Sequence, residues 1–248
     1  MASATTPTAE APERINSFGR IFGALFSPKA TFESIVRRPS WLLPTMLLCV
    51  LVLGVVGIFS YRGGWPSFFQ KQMAGNSRIE QMPPEQRERV YEAQLKYGPK
   101  VAYVQGVLAP FILVIVVAAV FLGVFSGLMG AKFNFKTSLG ITSHAFMPGL
   151  ISGLLGILIV SVKDPTTIDL QNIVASNAGA FLSSDSPKWM SAMLGSIDVF
   201  SFWNMTLLAI GYHAAAPKKL SSTTAFFSIF ALWLVYVLIR TGLTAAFA

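Results

Sequence analysis

The chain has 248 residues, 53% of them apolar and 12% charged, about half the charged share usual in soluble domains, and this excludes an ordinary water-soluble globular protein. Its 19 Lys and Arg against 11 Asp and Glu leave a net charge of +8; the surplus flanks apolar runs, so it is assigned to anionic lipid headgroups and not to nucleic acid. The single cysteine, Cys49, excludes an intrachain disulfide and a thiolate metal cluster.

Residues 1–12 are rich in Ala, Thr and Pro and read as a disordered lead-in. The first long apolar run begins only at Trp41, too late for a secretory signal peptide, so no cleavage is expected. Residues 13–40 read as interfacial amphipathic helices. In the first, Ile15, Phe18, Phe22, Leu25 and Phe26 recur at helical spacing, with Arg14, Asn16 and Arg20 on the other side. Ser27-Pro28 is a cap and first-turn signal for a second helix over Lys29 to Arg37, with Phe32, Ile35 and Val36 facing inward.

Residues 41–248 read as a five-helix transmembrane domain. Five uncharged runs (Trp41 to Tyr61, Val101 to Ala131, Thr137 to Val162, Val199 to Pro217, Leu220 to Ile239) each approach or exceed the ~20 residues that cross a bilayer. The expected spans are 41–61, 104–130, 138–162, 197–215 and 222–244, with a break at Gly98-Pro99 before the second. Spans two and three are joined by the tight segment 132–136 and spans four and five by 217–219, so each pair is an antiparallel hairpin. The longer connectors, 62–100 and 163–196, face the other side. The first contains Glu85/Arg89 and Glu92/Lys96 at i,i+4 spacing, expected to brace a solvated helix; the second holds a short amphipathic helix from Pro187 to Gly195. Nine cations (Arg14, Arg20, Lys29, Arg37, Arg38, Lys132, Lys136, Lys218 and Lys219) are assigned to the membrane surface. Those beside tight loops place the N-terminus in the cytoplasm and the C-terminus outside.

Within the spans, Gly123, Gly127 and Gly130 share a spacing with Gly149, Gly153 and Gly156, so the second and third spans are expected to pack on each other through glycine stripes. The fourth span carries Asp198 in its first turn, suited to accept from free backbone N–H groups. Ser201, Asn204, Leu208 and Gly211 fall within about 80° on a helical wheel, an intramembrane polar stripe that serves as helix glue or lines a cavity; Trp203 reads as an interfacial anchor. His144 and His213 belong to the same predicted side but lack a third metal ligand.

Several stretches together resemble the Yip-domain (Ypt-interacting-protein) family in its bacterial form. They are Leu25-Phe26-Ser27-Pro28-Lys29-Ala30-Thr31-Phe32 with Arg38-Pro39-Ser40-Trp41, Gly130-Ala131-Lys132-Phe133-Asn134-Phe135 leading to Pro148, and Ile197 through Asn204. The likeness covers Ile15 to the C-terminus and implies a five-span bundle with a cytoplasmic N-terminus in a bacterial inner membrane. Eukaryotic relatives are associated with vesicle traffic and Rab-type GTPases; this chain has a minimal lead-in, so GTPase partnership is not carried over.

The expectation is thus an all-α polytopic membrane protein that is no enzyme and needs no cofactor or metal. Gly123-Val124-Phe125-Ser126-Gly127 misses the Gly-x-Ser-Gly spacing of rhomboid proteases by one residue, and no phosphate-cradling loop or zinc helix is present. The expected partners are the lipid bilayer, with anionic headgroups at the cytoplasmic face, and a membrane or cytoplasmic protein; a homo-oligomer is compatible. The expected function is a membrane scaffold, with a small-solute or ion transporter or channel through the fourth-span stripe as the alternative. A continuous water-accessible cavity reaching Asn204 would favour transport, and a close-packed bundle the scaffold.

Overall fold

The computed structural model describes residues 15–74, 76–183 and 186–247; the lead-in 1–12 and Arg14 lie outside them. Eleven helices are formed among the described residues: α1 (Ser17–Phe26), α2 (Pro28–Arg37), α3 (Leu42–Tyr61), α4 (Trp65–Ala74), α5 (Ser77–Glu80), α6 (Pro84–Leu122), α7 (Phe135–Ala145), α8 (Pro148–Val162), α9 (Lys188–Leu194), α10 (Val199–Ala215) and α11 (Ser222–Phe247). Strand-like pairing among them is limited to one bridge, Asn177 with Asp198.

The α1–α2 hairpin gathers with the tight loops 132–136 and 217–219 on one face of the bundle, here the hairpin face. Residues 62–83 and 163–198 form the opposite connector face. Gly23 makes the α1–α2 turn tight, since a Cβ there would come within 2.4 Å of Thr31 Oγ1. The Asn16 side chain caps α1 by accepting from the Gly19 N–H. Ser27 contributes differently from the expected cap: its side chain makes no capping bond to α2, whereas its N–H closes α1 on the Gly23 carbonyl. Pro28 still starts α2, because the first helical turn has no use for its missing N–H.

Helices α3, α6 and α11 are long and apolar enough to cross a membrane, and α7 with α8 meet the same measure together but are bent by 41° between them, the form of a broken span or a re-entrant loop. Span three was expected as one helix; it breaks at Phe146-Met147, where Pro148 starts α8 and cannot continue the preceding turn. The expected break at Gly98-Pro99 is absent. Helix α6 continues through Pro99 and Pro110 for 39 residues before widening into a π-helical segment, Gly123–Leu128. Gly98 has a packing reason instead: a Cβ there would lie 2.2 Å from the Phe69 ring of α4. The expected Glu–Lys/Arg pairs on this helix do not close either. The sole ion pair found among the described residues is Arg37 with Glu33, at 3.7 Å.

The largest core lies toward the hairpin face, where α2 drives Phe32 and Ile35 against Ile141 of α7 and Leu207, Leu208 and Tyr212 of α10. Gly211 is the notch that admits them, since a Cβ there would meet Ile141 at 2.4 Å and Phe32 at 3.0 Å. On the connector face, Phe59, Trp65, Phe68 and Phe69 form a mutually edge-on and stacked aromatic group, and Arg62 ties α3 to the end of α8 by donating to the Val160 carbonyl at 2.8 Å.

The two glycine stripes do not meet. Gly149 and Gly153 of α8 face Leu48 and Leu51 of α3, and Gly156 faces Val55, whereas Gly123, Gly127 and Gly130 have open space beside them. The bend before Pro148 and the π-helical end of α6 turn the stripes apart, so α8 uses its glycines against the first span. Gly153→Leu is therefore expected to cost about 1–3 kcal/mol through overpacking against Leu51, while Gly127→Leu leaves stability unchanged. Thermal unfolding of both variants in detergent checks this, and equal melting of the two would refute it.

Candidate functional site

Two polar assemblies lie within the apolar bundle. The first is built on α7, a helix buried along nearly its whole length. Asn134 caps it, accepting from the Thr137 N–H at 2.9 Å, and so positions Ser138 and Thr142 one turn apart on the same face. The Ser138 hydroxyl donates to the Ala118 carbonyl of α6 at 2.7 Å, which leaves its oxygen to accept from the Tyr212 hydroxyl, also at 2.7 Å. The Tyr212 oxygen accepts in turn from Thr142 at 3.1 Å. One chain of hydroxyls thus joins α6, α7 and α10, and Phe121, Phe125 and Phe133 surround the Tyr212 ring at centroid distances of 5.4, 4.9 and 5.5 Å. On the same helix His144 donates from Nδ1 to the Gly140 carbonyl at 2.8 Å, and its Nε2 is buried without a protein partner.

Arg20 completes this end. Although expected at the membrane surface, it is 8% exposed. Its guanidinium donates to the Arg38 carbonyl (2.8 Å), Ser40 Oγ (3.3 Å), and the Ser34 carbonyl and hydroxyl (3.3 and 3.1 Å). The Ser34 carbonyl, which already accepts from the Arg38 N–H, takes a second bond from Arg20, and the Arg38 carbonyl just beyond α2 takes another. Burial, and then the neighbouring Arg38 charge, lowers its pKa from the usual guanidinium value. Lys29, Arg37, Arg38, Lys132, Lys136, Lys218 and Lys219 are all exposed.

The second assembly is a cleft of about 1460 Å³ between α3 and α6 on one side and α10 and α11 on the other, with α8 at its back and the connector face above. The sequence-predicted stripe of α10 divides here. Asp198, Ser201 and Asn204 line the cleft, whereas Gly211 is buried against Ile141 and Phe32. Asp198 accepts from the Ser201 N–H at 2.9 Å and from the Ser176 hydroxyl, so it both caps α10 and anchors the connector strand that bridges to it. Asn204 Oδ1 is buried with no protein donor. Trp203, expected at the interface, packs half-buried against the core. None of the lining residues belongs to α1, α2 or α7, and Leu208 and Tyr212 belong to the packed core and not to the lining.

The histidines are not brought into a joint site: His213 Nδ1 donates to the Leu220 carbonyl at 2.6 Å, as His144 does to Gly140. No group of three His, Cys, Asp or Glu fit to hold a metal occurs among the described residues. On the connector face, the Thr166 N–H and hydroxyl donate to the Asp164 carboxylate and hold its pKa below the usual carboxylate range.

Exposed apolar rows run along the spans, including Val104, Leu108, Ile112 and Val116 on α6 and Leu234, Val235 and Leu238 on α11. Rows that long on helices of bilayer length belong in hydrocarbon, so the fold defines an integral membrane protein of the helical, multi-pass class. Residues 22–242 match the Yip1 domain, and the chain belongs to that family. No curated protein and no solved structure matches it.

Sequence reasoning singled out α10 but passed over Tyr212, Ser138 and Thr142. The available signal was Thr137-Ser138, Thr142-Ser143 in an otherwise uncharged span, whose hydroxyls in lipid require protein acceptors. Tyr212→Phe is expected to lose about 1 kcal/mol, because Thr142 then lacks its partner, measured by thermal unfolding in detergent. Arg20→Met removes every side-chain donor to the end of α2 and is expected to cost about 2–3 kcal/mol; hydrogen exchange over residues 17–38 should accelerate, and unchanged exchange there would refute the clamp.

Proposed function

We propose that the chain is a non-enzymatic scaffold that organises membrane or recruits a protein partner at its hairpin face, set in a bacterial cytoplasmic membrane. The observation that carries this reading is a row of three aromatic side chains on α1. Phe18, Phe22 and Phe26 are 62%, 60% and 76% exposed, one helical turn apart, while Ile21 and Ala24 on the opposite side are buried in the bundle. Arg20 holds α1 against the end of α2, so the row is presented by a fixed helix. Exposed cations on α2 and the two tight loops surround it, and this pairing of aromatic and basic surface suits an interfacial position beside anionic headgroups.

In this reading α10 is the fifth span. Its 17 residues reach about 25 Å, and Asp198 with the bridged connector completes the crossing of the ~30 Å core. The N-terminus is cytoplasmic and the C-terminus outside. The cleft does reach Asn204, the feature expected to favour transport; its lining includes no residue of α1, α2 or α7, and Leu208, Phe121 and Tyr212 are packed in the core, so a through path is not proposed.

Affinity purification from native membranes tests the scaffold. The triple variant Phe18→Ser, Phe22→Ser, Phe26→Ser should melt like the wild type, since these side chains are outside the core, yet recover its associated proteins or lipids at about a tenth of the yield. Full recovery by the folded variant would sink the reading. A reporter inserted in 132–136 or 217–219 should be active only in its cytoplasmic form, and activity outside would reverse the orientation.

A further inference from the structure

We propose that the cleft between α3/α6 and α10/α11 is a binding site for one anionic phospholipid of the leaflet on the connector side. Four observations support this, and none depends on the scaffold reading. The first is size: about 1460 Å³ exceeds the ~300–1,000 Å³ typical of small-molecule pockets. The second is depth. The cleft lies between helices whose outer surfaces are apolar and membrane-facing, so the molecule available to fill it is a lipid.

The third is the lining, which is apolar over most of its length, from Leu48, Val52 and Leu113 to Trp65, Phe69 and Ile173, and carries Asn172, Asn177 and Arg240 as polar groups at the connector end. Acyl chains fit such a surface, and the polar groups give a headgroup its place. The fourth is charge. Arg240 lies 18 residues beyond Ser222, about 27 Å along α11, and so near the connector-side end of the ~30 Å hydrocarbon core, from which its long side chain can extend toward the headgroups. Its guanidinium has no carboxylate partner among the described residues. One Nη1 bond goes to Ser196 Oγ at 3.3 Å, the Ser196 hydroxyl itself donating to the Ala192 carbonyl at 2.8 Å. Asp198 lines the same cleft but makes no ion pair with Arg240, its oxygens accepting from Ser176 and Ser201. The remaining guanidinium donors match a phosphate, the planar fork favouring two-point contact. Ser201, Asn204 and Gln105 add further polar side chains to the lining.

Native mass spectrometry of the full chain in mild detergent, titrated with dioleoyl phosphatidylglycerol or dioleoyl phosphatidylcholine, tests the site. The wild type should retain one phosphatidylglycerol with about tenfold preference over phosphatidylcholine, whose own choline offsets the phosphate charge. Arg240→Gln should erase that preference, Arg240→Lys should keep most of it, and Ser152→Trp, at the back of the cleft, should reduce binding of both lipids. Melting in the same detergent identifies which variants are folded. Undiminished phosphatidylglycerol binding by either folded variant, Arg240→Gln or Ser152→Trp, overturns the proposal, and so does equal wild-type affinity for the two lipids. A wild-type dimer that binds lipid only after dissociating would assign the cleft to a second copy of the chain and also overturn it.

Discussion

A polar group placed in hydrocarbon has no water to bond, so it must find its partner within the protein, and the hydroxyl of Tyr212 is where that constraint organises this bundle. Its bonds to Ser138 and Thr142, and through Ser138 to the Ala118 carbonyl, bring α6, α7 and α10 together. Each such bond contributes only about 0.6 kcal/mol in a membrane. Their effect is on position, because three helices with interchangeable apolar surfaces acquire one register. The ring adds contacts with Phe121, Phe125 and Phe133, each worth about 0.5–1.5 kcal/mol beyond burial.

The fixed position of α7 has consequences at both faces. Toward the hairpin face it leaves room beside Gly211 and Ile141 for Phe32 of α2, and docking α2 places Arg20 under its last carbonyls. The α1 aromatic row is thereby held against a rigid base. Toward the connector face, the bend at Phe146-Met147 sends α8 to α3, where Leu48, Leu51 and Val55 settle over its glycines. Helix α8 thus packs on the first span, and the cleft lies in front of it, between α3 with α6 and α10 with α11.

Much of this arrangement is legible in the residues. Uncharged runs locate α3, α6 and α11, Asp198 and Asn134 are strong helix starts, and Ser27-Pro28 separates α1 from α2. The stretches resembling the Yip-domain family led to the family that the chain belongs to. Other signals were local and had two outcomes. Gly98-Pro99 could end a helix or admit Phe69, and Phe69 is distant in sequence. Arg20 lies opposite Phe18 and Phe22 on α1, which suggests solvent until α2 folds back and offers Ser34 and Arg38 as acceptors.

The sequence by itself determined that the chain resides in a membrane and where helices such as α1, α2, α3 and α10 begin, because hydropathy, caps and proline chemistry act over a few neighbouring residues. Only the tertiary structure decided which helix each glycine stripe meets, which side of the α10 stripe is packed and which is open, and that Arg20 is buried while Arg240 has no counter-charge among the described residues. Those outcomes depend on pairs such as Gly153 with Leu51 and Ser138 with Tyr212. Their members are far apart along the chain and carry no charge that would identify one to the other; shape and hydrogen-bond satisfaction, which exist only in the assembled bundle, select them.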